Sequence, residues 1–292
     1  MKVKIEFLLS IAPLAKNYDA FLLDLWGVIH DGKQLYPEVR ECLEALRAEH
    51  KKIIFLSNAP RRAGVVSEVL TRMGITANLY DGIVTSGETA YQCLAYPEYS
   101  FFKPRGPRYF YIGLEKDRRI LDGLSYQEEK QPEDADFVLL SHSYHDNQPF
   151  DELLPLFKAA IDKKLPALCI NPDREVVRLG GERVYCAGTL ALEYHKMEGE
   201  VIYFGKPHEV VYDMCMGMLK GVEQSRILAV GDSLRTDIRG ANYNNIASAL
   251  VTGGVLREAV GDPDNVDYAV KCQEACVREE VHPTYVVPVF NW

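Results

Sequence analysis

The sequence predicts an α/β fold: a doubly wound, mostly parallel sheet interrupted by a second α/β unit. Three apolar runs carry the prediction. Ala20-Phe21-Leu22-Leu23 ends at Asp24, Lys52-Ile53-Ile54-Phe55-Leu56 ends at Ser57-Asn58, and Ile227-Leu228-Ala229-Val230 ends at Gly231-Asp232. Runs this short, apolar on both faces and flanked by charged helical stretches, suit buried parallel strands. Between the first two, Glu38 to Arg47 places Val39, Cys42, Leu43 and Leu46 at helical spacing, which completes a βαβ unit.

The chain begins with Met1-Lys2-Val3-Lys4 and an apolar stretch from Phe7 to Ala12, a faint likeness to a secretion signal. Glu6 interrupts it and the run is short, so a short helix packed on the core is expected there. In the middle, Tyr109–Gly113, Phe137–Leu140 and Ala167–Ile170 read as strands and Phe150–Lys163 as an amphipathic helix. Ser125–Asp134 reads as a surface connection. The expected division is a core of residues 1–86 and 202–292, with an inserted domain of 87–201.

A chain of 292 residues with 47% apolar and 26% charged residues builds a sizeable globular core. The formal net charge of −9 argues against a nucleic-acid partner, which needs clustered Lys and Arg. It leaves room for a small phosphorylated metabolite, which needs only a local positive site. No apolar run reaches eighteen residues, so no membrane partner is expected. Seven scattered cysteines without zinc-finger spacing read as reduced thiols of a cytoplasmic protein, Cys169 and Cys215 in apolar, core-like surroundings. An oligomer is compatible with the sequence, which specifies no oligomeric state.

In a parallel sheet the ligand site lies beyond the carboxyl ends of the strands. Asp24, Ser57 and Asp232 all stand there. Asp24 precedes Leu25-Trp26-Gly27, and a glycine turn lets the backbone approach a ligand while the carboxylate faces it. Such an aspartate can attack phosphorus; it can equally cap the turn. Ser57 and Asn58, at a strand-to-helix junction, can donate to phosphate or serve as helix caps. Lys206, between Gly205 and Pro207, is either a phosphate-binding charge or a solvated turn lysine. Asp232 and Asp237, five residues apart between Gly231 and Gly240, suit a hard cation such as Mg²⁺ better than a simple helix cap.

The order and placement of these segments resemble the haloacid dehalogenase superfamily of aspartate-nucleophile phosphohydrolases, in its class IIA branch of nitrophenyl-, sugar- and nucleotide-phosphatase-like members. Asn171-Pro172-Asp173, Gly188-Thr189-Leu190 and Gly205-Lys206-Pro207-His208 fit the same pattern. The resemblance implies a Rossmann-like core with an inserted α/β cap that excludes water and selects substrate. It implies Asp24 as nucleophile and Ser57, Asn58 and Gly27 around the phosphate. Lys206 would neutralise charge. Mg²⁺ would be held by Asp24, Asp232, Asp237 and the backbone carbonyl of Trp26.

At one position the sequence departs from that pattern. Asp-x-Asp is expected, and Asp24-Leu25-Trp26 is found. The second carboxylate would protonate the leaving oxygen and then activate water; indole can do neither. A positioned acid or base contributes roughly 10²–10⁴-fold, or roughly 3–5 kcal/mol of barrier. Metal binding with weakened turnover is the expectation. His30 and Asp31 are candidate surrogates, with exposed turn residues as the plainer reading. His142, Tyr144, His145 and Asp146 are either substrate contacts or an exposed polar loop. Trp26 packs against a flat substrate group or fills the vacated space. The functional expectation is a Mg²⁺-dependent phosphohydrolase. A phosphometabolite-binding protein that has lost catalysis is the alternative, and a structural or regulatory partner on the same fold a third.

Overall fold

The computed structural model describes residues 5–98, 100–177 and 182–292. The expectation for Met1 to Lys4 lies outside them. In chain order the first elements are β1 (Glu6–Phe7), β2 (Ala20–Leu23), α1 (Val39–Ala48), β3 (Lys52–Ser57), α2 (Ala63–Arg72), β4 (Gly82–Thr85) and α3 (Ser86–Ala95). Then come β5 (Arg108–Ile112), β6 (Gln127–Glu129), β7 (Phe137–Leu140), α4 (Phe150–Asp162), β8 (Ala167–Cys169), β9 (Glu175–Val177), β10 (Arg183–Tyr185), α5 (Ala187–Lys196) and β11 (Val201–Tyr203). The last are α6 (Glu209–Met218), β12 (Ile227–Gly231), α7 (Arg239–Tyr243), β13 (Ala247–Val251), α8 (Arg257–Val260), α9 (Tyr268–Arg278) and β14 (Tyr285–Val287). The chain forms two compact units: residues 1–57, 64–84 and 206–292, and residues 58–63 and 85–205.

The first unit holds a seven-stranded sheet in the order β1-β14-β13-β12-β2-β3-β4. The pairs β1–β14, β14–β13, β13–β12, β12–β2 and β2–β3 are all parallel. The three runs that predicted the sheet are its adjacent central strands, and both faces are packed. Leu22, Ile54 and Ala229 share one face by register and pack with Val211, Tyr212 and Cys215 of α6. Phe21, Leu23, Ile53, Phe55, Leu228 and Val230 alternate to the other face and are equally buried. Each such side chain stabilises the fold by about 1.5–3 kcal/mol over an exposed one. That burial, rather than local propensity, specifies the central strands.

The second unit repeats the logic on a five-stranded parallel sheet, β11-β8-β7-β5-β6. Phe110, Ile112, Val138 and Leu140 face α4 and α5. Tyr109, Tyr111, Phe137 and Leu139 face Ala90 and Leu94 of α3. β9 and β10 form a separate antiparallel pair.

Two sequence readings are corrected. Ser125–Asp134, expected as a connection, contains β6, whose Gln127 and Glu128 are exposed because the strand lies at the sheet edge. At the N-terminus, Glu6–Phe7 is a strand paired to β14, and the helical turn follows at Ala12–Lys16, burying Leu14 and Ala15. All seven cysteines are free, Cys169 and Cys215 fully buried. Among the described residues no helix is long and apolar enough to cross a membrane.

Candidate active site

Strand register brings the polar residues together. Leu23 pairs with Val230 on one side and Phe55 on the other, so Asp24, Asp232 and Ser57 follow at one sheet edge. The Asp24 N–H donates to Val230 O at 2.9 Å, extending the ladder to the carboxylate itself. Asp24, Asp232 and Asp237 are 7%, 6% and 5% exposed, and each offers an oxygen within 4.8 Å of the others.

Lys206 enters this cluster 2% exposed. Its ammonium donates to Asp24 Oδ1 at 2.5 Å, Asp237 Oδ1 at 2.7 Å and Leu56 O at 2.9 Å. The solvated-turn reading of Lys206 is therefore wrong: burial of an ammonium requires this pairing. Asp237 Oδ2 accepts from the Ser233 N–H at 3.1 Å, and Asp232 Oδ2 from the Val255 N–H at 2.8 Å. A single wide turn of π-helix, Leu234–Ile238, carries Asp237 back toward Ser233.

Electrostatics favour one more cation. Burial pushes the Asp24 carboxyl well above its ordinary value; Lys206 opposes this, and the Asp237 and Asp232 charges reinforce it. Three carboxyl groups face a single ammonium, and a divalent cation among their oxygens would favour the ionised form of all three. The backbone makes room for this donor set. Gly27 has φ +88°, and a Cβ there, or at Gly254, would overlap the Asp232 carboxylate; a Cβ at Gly231 would overlap Asp237. The Gly27 turn is closed by its N–H to His30 O at 3.0 Å and by the His30 N–H to Leu25 O at 3.0 Å.

The remaining predicted residues divide. Ser57 closes β3 and is 6% exposed. Asn58, the next residue, is buried within the second unit, and its Nδ2 donates to Asp173 Oδ1 at 2.9 Å. The half-buried Trp26 meets the His30 ring edge-on at 5.9 Å and covers Gly32, where a Cβ would collide with the indole. His30 is buried, contrary to the exposed-turn reading, and burial lowers its pKa below 6.5. Its Nδ1 accepts from the Gly32 N–H at 3.1 Å. Asp31 is a turn residue, accepting from the N–H groups of Lys33 and Gln34 at 2.8 and 2.9 Å. In the second unit His142 is buried, so the fully exposed-loop reading fails for it; His145 remains exposed.

Sequence reasoning missed several supports. The Val255 N–H follows Gly253-Gly254, a glycine pair just past β13 that could have marked a close approach at the same sheet edge. In the second unit Arg61 pairs with the buried Asp117 at 2.8 Å, and Arg62 with Glu88 at 2.7 Å while lying over the Tyr91 ring. No local pattern announces those partners.

Residues 21–127 match the family described as haloacid dehalogenase-like hydrolase, and residues 203–291 the one described as HAD-hydrolase-like. The sugar-phosphatase AraL of Bacillus subtilis is 27% identical over 247 residues, spanning 81% of this chain and 84% of that protein. A haloacid dehalogenase-like hydrolase from Brucella suis superposes with a TM-score of 0.81 at 28% identity, over 97% of this chain and 99% of the other. The glycerol phosphate phosphatase of Mycobacterium tuberculosis in complex with magnesium shares the fold, with a TM-score of 0.67 at 23% identity over 94% and 75%. The two matched segments between them carry Asp24, Ser57, Lys206, Asp232 and Asp237, and the chain belongs to the haloacid dehalogenase superfamily of hydrolases, in its class IIA branch.

Proposed function

We propose that this chain, a phosphatase-type hydrolase, cleaves a small phosphomonoester with Mg²⁺ through a phosphorylated Asp24. The observation that carries the reading is the buried Lys206 ammonium shared between Asp24 and Asp237. It fixes the Asp24 carboxyl in place, opposes the effect of burial on its ionisation, and adds positive charge where phosphoryl oxygens would gather. Asp24, Asp232, Asp237 and the Trp26 carbonyl would hold Mg²⁺, which would supply further charge to those oxygens. The Ser57 hydroxyl and the Gly27 turn are assigned to phosphoryl oxygens. Asn58 follows Ser57 directly, and Asp173 orients its amide. Substrate selection is assigned to the inserted domain. Trp26 brings no acid to the leaving oxygen, so esters of acidic hydroxyls are favoured.

The test is phosphate release from a panel of phosphomonoesters with and without Mg²⁺, using Asp24→Asn as control. Mg²⁺-dependent release that disappears in Asp24→Asn is expected. Release unchanged by Asp24→Asn would refute the mechanism. Trp26 also favours a second reading, a phosphometabolite-binding protein. It predicts Mg²⁺-dependent calorimetric binding of a phosphorylated metabolite that is never converted.

A further inference from the structure

Hydrolysis through a phosphorylated carboxylate moves two protons: one onto the leaving oxygen, and one off the water that attacks the intermediate. Among the described residues, Asp237, Asp232 and Lys206 of the carboxylate cluster and Trp26 and His30 of the turn after Asp24 are already engaged. Asp237 accepts through both oxygens, from Lys206 and from the Ser233 N–H. Asp232 Oδ2 accepts from Val255, and the same carboxylate is assigned to the cation. Lys206 donates to three oxygens, and an ammonium has no lone pair to accept a proton. The Nδ1 lone pair of His30 is taken by the Gly32 N–H, so the neutral ring carries its proton on Nε2 and has no base to offer. Trp26, packed against that ring, can only donate.

We propose that Asp24 is phosphorylated faster than it is released, so that phospho-Asp24 accumulates as a long-lived form of the chain when the donor is an aryl, enol or acyl phosphate. The inference rests on Asp24 being the nucleophile of the proposed function. In the first step an Asp24 oxygen bonds to phosphorus, and the bond from phosphorus to the leaving oxygen breaks. That oxygen leaves with the electron pair; when its hydroxyl is acidic it needs no proton. In the second step a water oxygen bonds to phosphorus, and the bond to the Asp24 oxygen breaks with its pair returning to the carboxylate. None of those five side chains offers the water a base, so it sheds its proton to solvent, which slows this step by about 10²–10⁴-fold relative to a base-assisted one.

The experiment mixes the whole chain with 4-nitrophenyl phosphate and Mg²⁺ and follows nitrophenolate and intact mass together. A burst of about one nitrophenolate per chain should precede a slower steady phase. The chain should gain the mass of one phosphoryl group, which hydroxylamine removes and Asp24→Asn prevents. Trp26→Asp should abolish the burst and raise the steady rate; if that variant fails to fold, the burst and adduct of the native chain decide alone. Steady release without burst or adduct overturns this inference and leaves the hydrolase reading standing. No nitrophenolate and no adduct overturns both.

Discussion

Lys206 ties Asp24 to Asp237: one ammonium lies 2.5 Å from the first carboxylate, 182 residues away in sequence, and 2.7 Å from the second, 31 residues away. Removing it leaves two buried carboxylates without their shared counter-charge. Lys206→Met is expected to cost about 3–5 kcal/mol in urea unfolding with chelator present. Mg²⁺ should restore part of that by binding the folded state. An unchanged unfolding midpoint would show that Lys206 is not the neutralising group.

Gly27 and Gly217 make opposite predictions. Alanine at position 27 incurs left-handed strain of about 1–2 kcal/mol and pushes its Cβ into the Asp232 carboxylate. Calorimetry should show Mg²⁺ affinity weakened by at least about tenfold, equivalent to about 1.4 kcal/mol. Gly217 lies in α6 with nothing within 4 Å of its would-be Cβ. Gly217→Ala should stabilise by about 0.5–1 kcal/mol and leave Mg²⁺ affinity unchanged.

The second unit has its own acid sensitivity. Burial alone would raise the Glu88 carboxyl, but hydrogen bonds from Arg62, Gln92 and the Ala63 N–H outweigh it and hold the pKa below 4.5. A carboxyl depressed in the folded state contributes stability that is fully present above its unfolded value. That contribution is lost as pH falls through the folded value. Unfolding midpoints of the native chain should therefore decline below pH 4.5, and Glu88→Gln should flatten that decline. Parallel pH profiles for the two proteins would count against the Glu88 cluster.

Arg61 and Asp117 form a pair in which the carboxylate is the buried partner, its side chain 3% exposed against 33% for the guanidinium. Arg61→Ala should cost about 1–3 kcal/mol, chiefly by stranding Asp117. In a double-mutant cycle with Asp117→Asn the combined loss should be clearly less than the sum. Strict additivity would mean the pair is not coupled.

The central strands were legible because nothing but burial on both faces explains runs such as Phe21–Leu23. Their C-terminal residues then pointed to the site without any knowledge of strand order. What could not be read was set by distance along the chain. Glu6–Phe7 is a strand only because Tyr285 and Val286 lie beside it. β6 is polar enough to look like a loop and pairs along one side only. Lys206 could have been a surface lysine until its three acceptors, from β2, β3 and the Asp237 turn, were brought together. The turn signal at Asp31-Gly32 proved real, yet His30, just before it, is buried.

β1 is only two residues long, but it occupies the outer side of β14, with the Glu6 N–H on Thr284 O at 3.1 Å and the Leu8 N–H on Val286 O at 2.9 Å. Without Ile5–Leu8, the Tyr285-Val286-Val287 backbone would become a bare, apolar margin open to the same strand of another molecule. A chain shortened there would betray itself first as turbidity that grows with concentration, before any change in its chemistry. On this account the least conspicuous strand of the sheet is the one whose loss would show first in how well the protein stays dispersed.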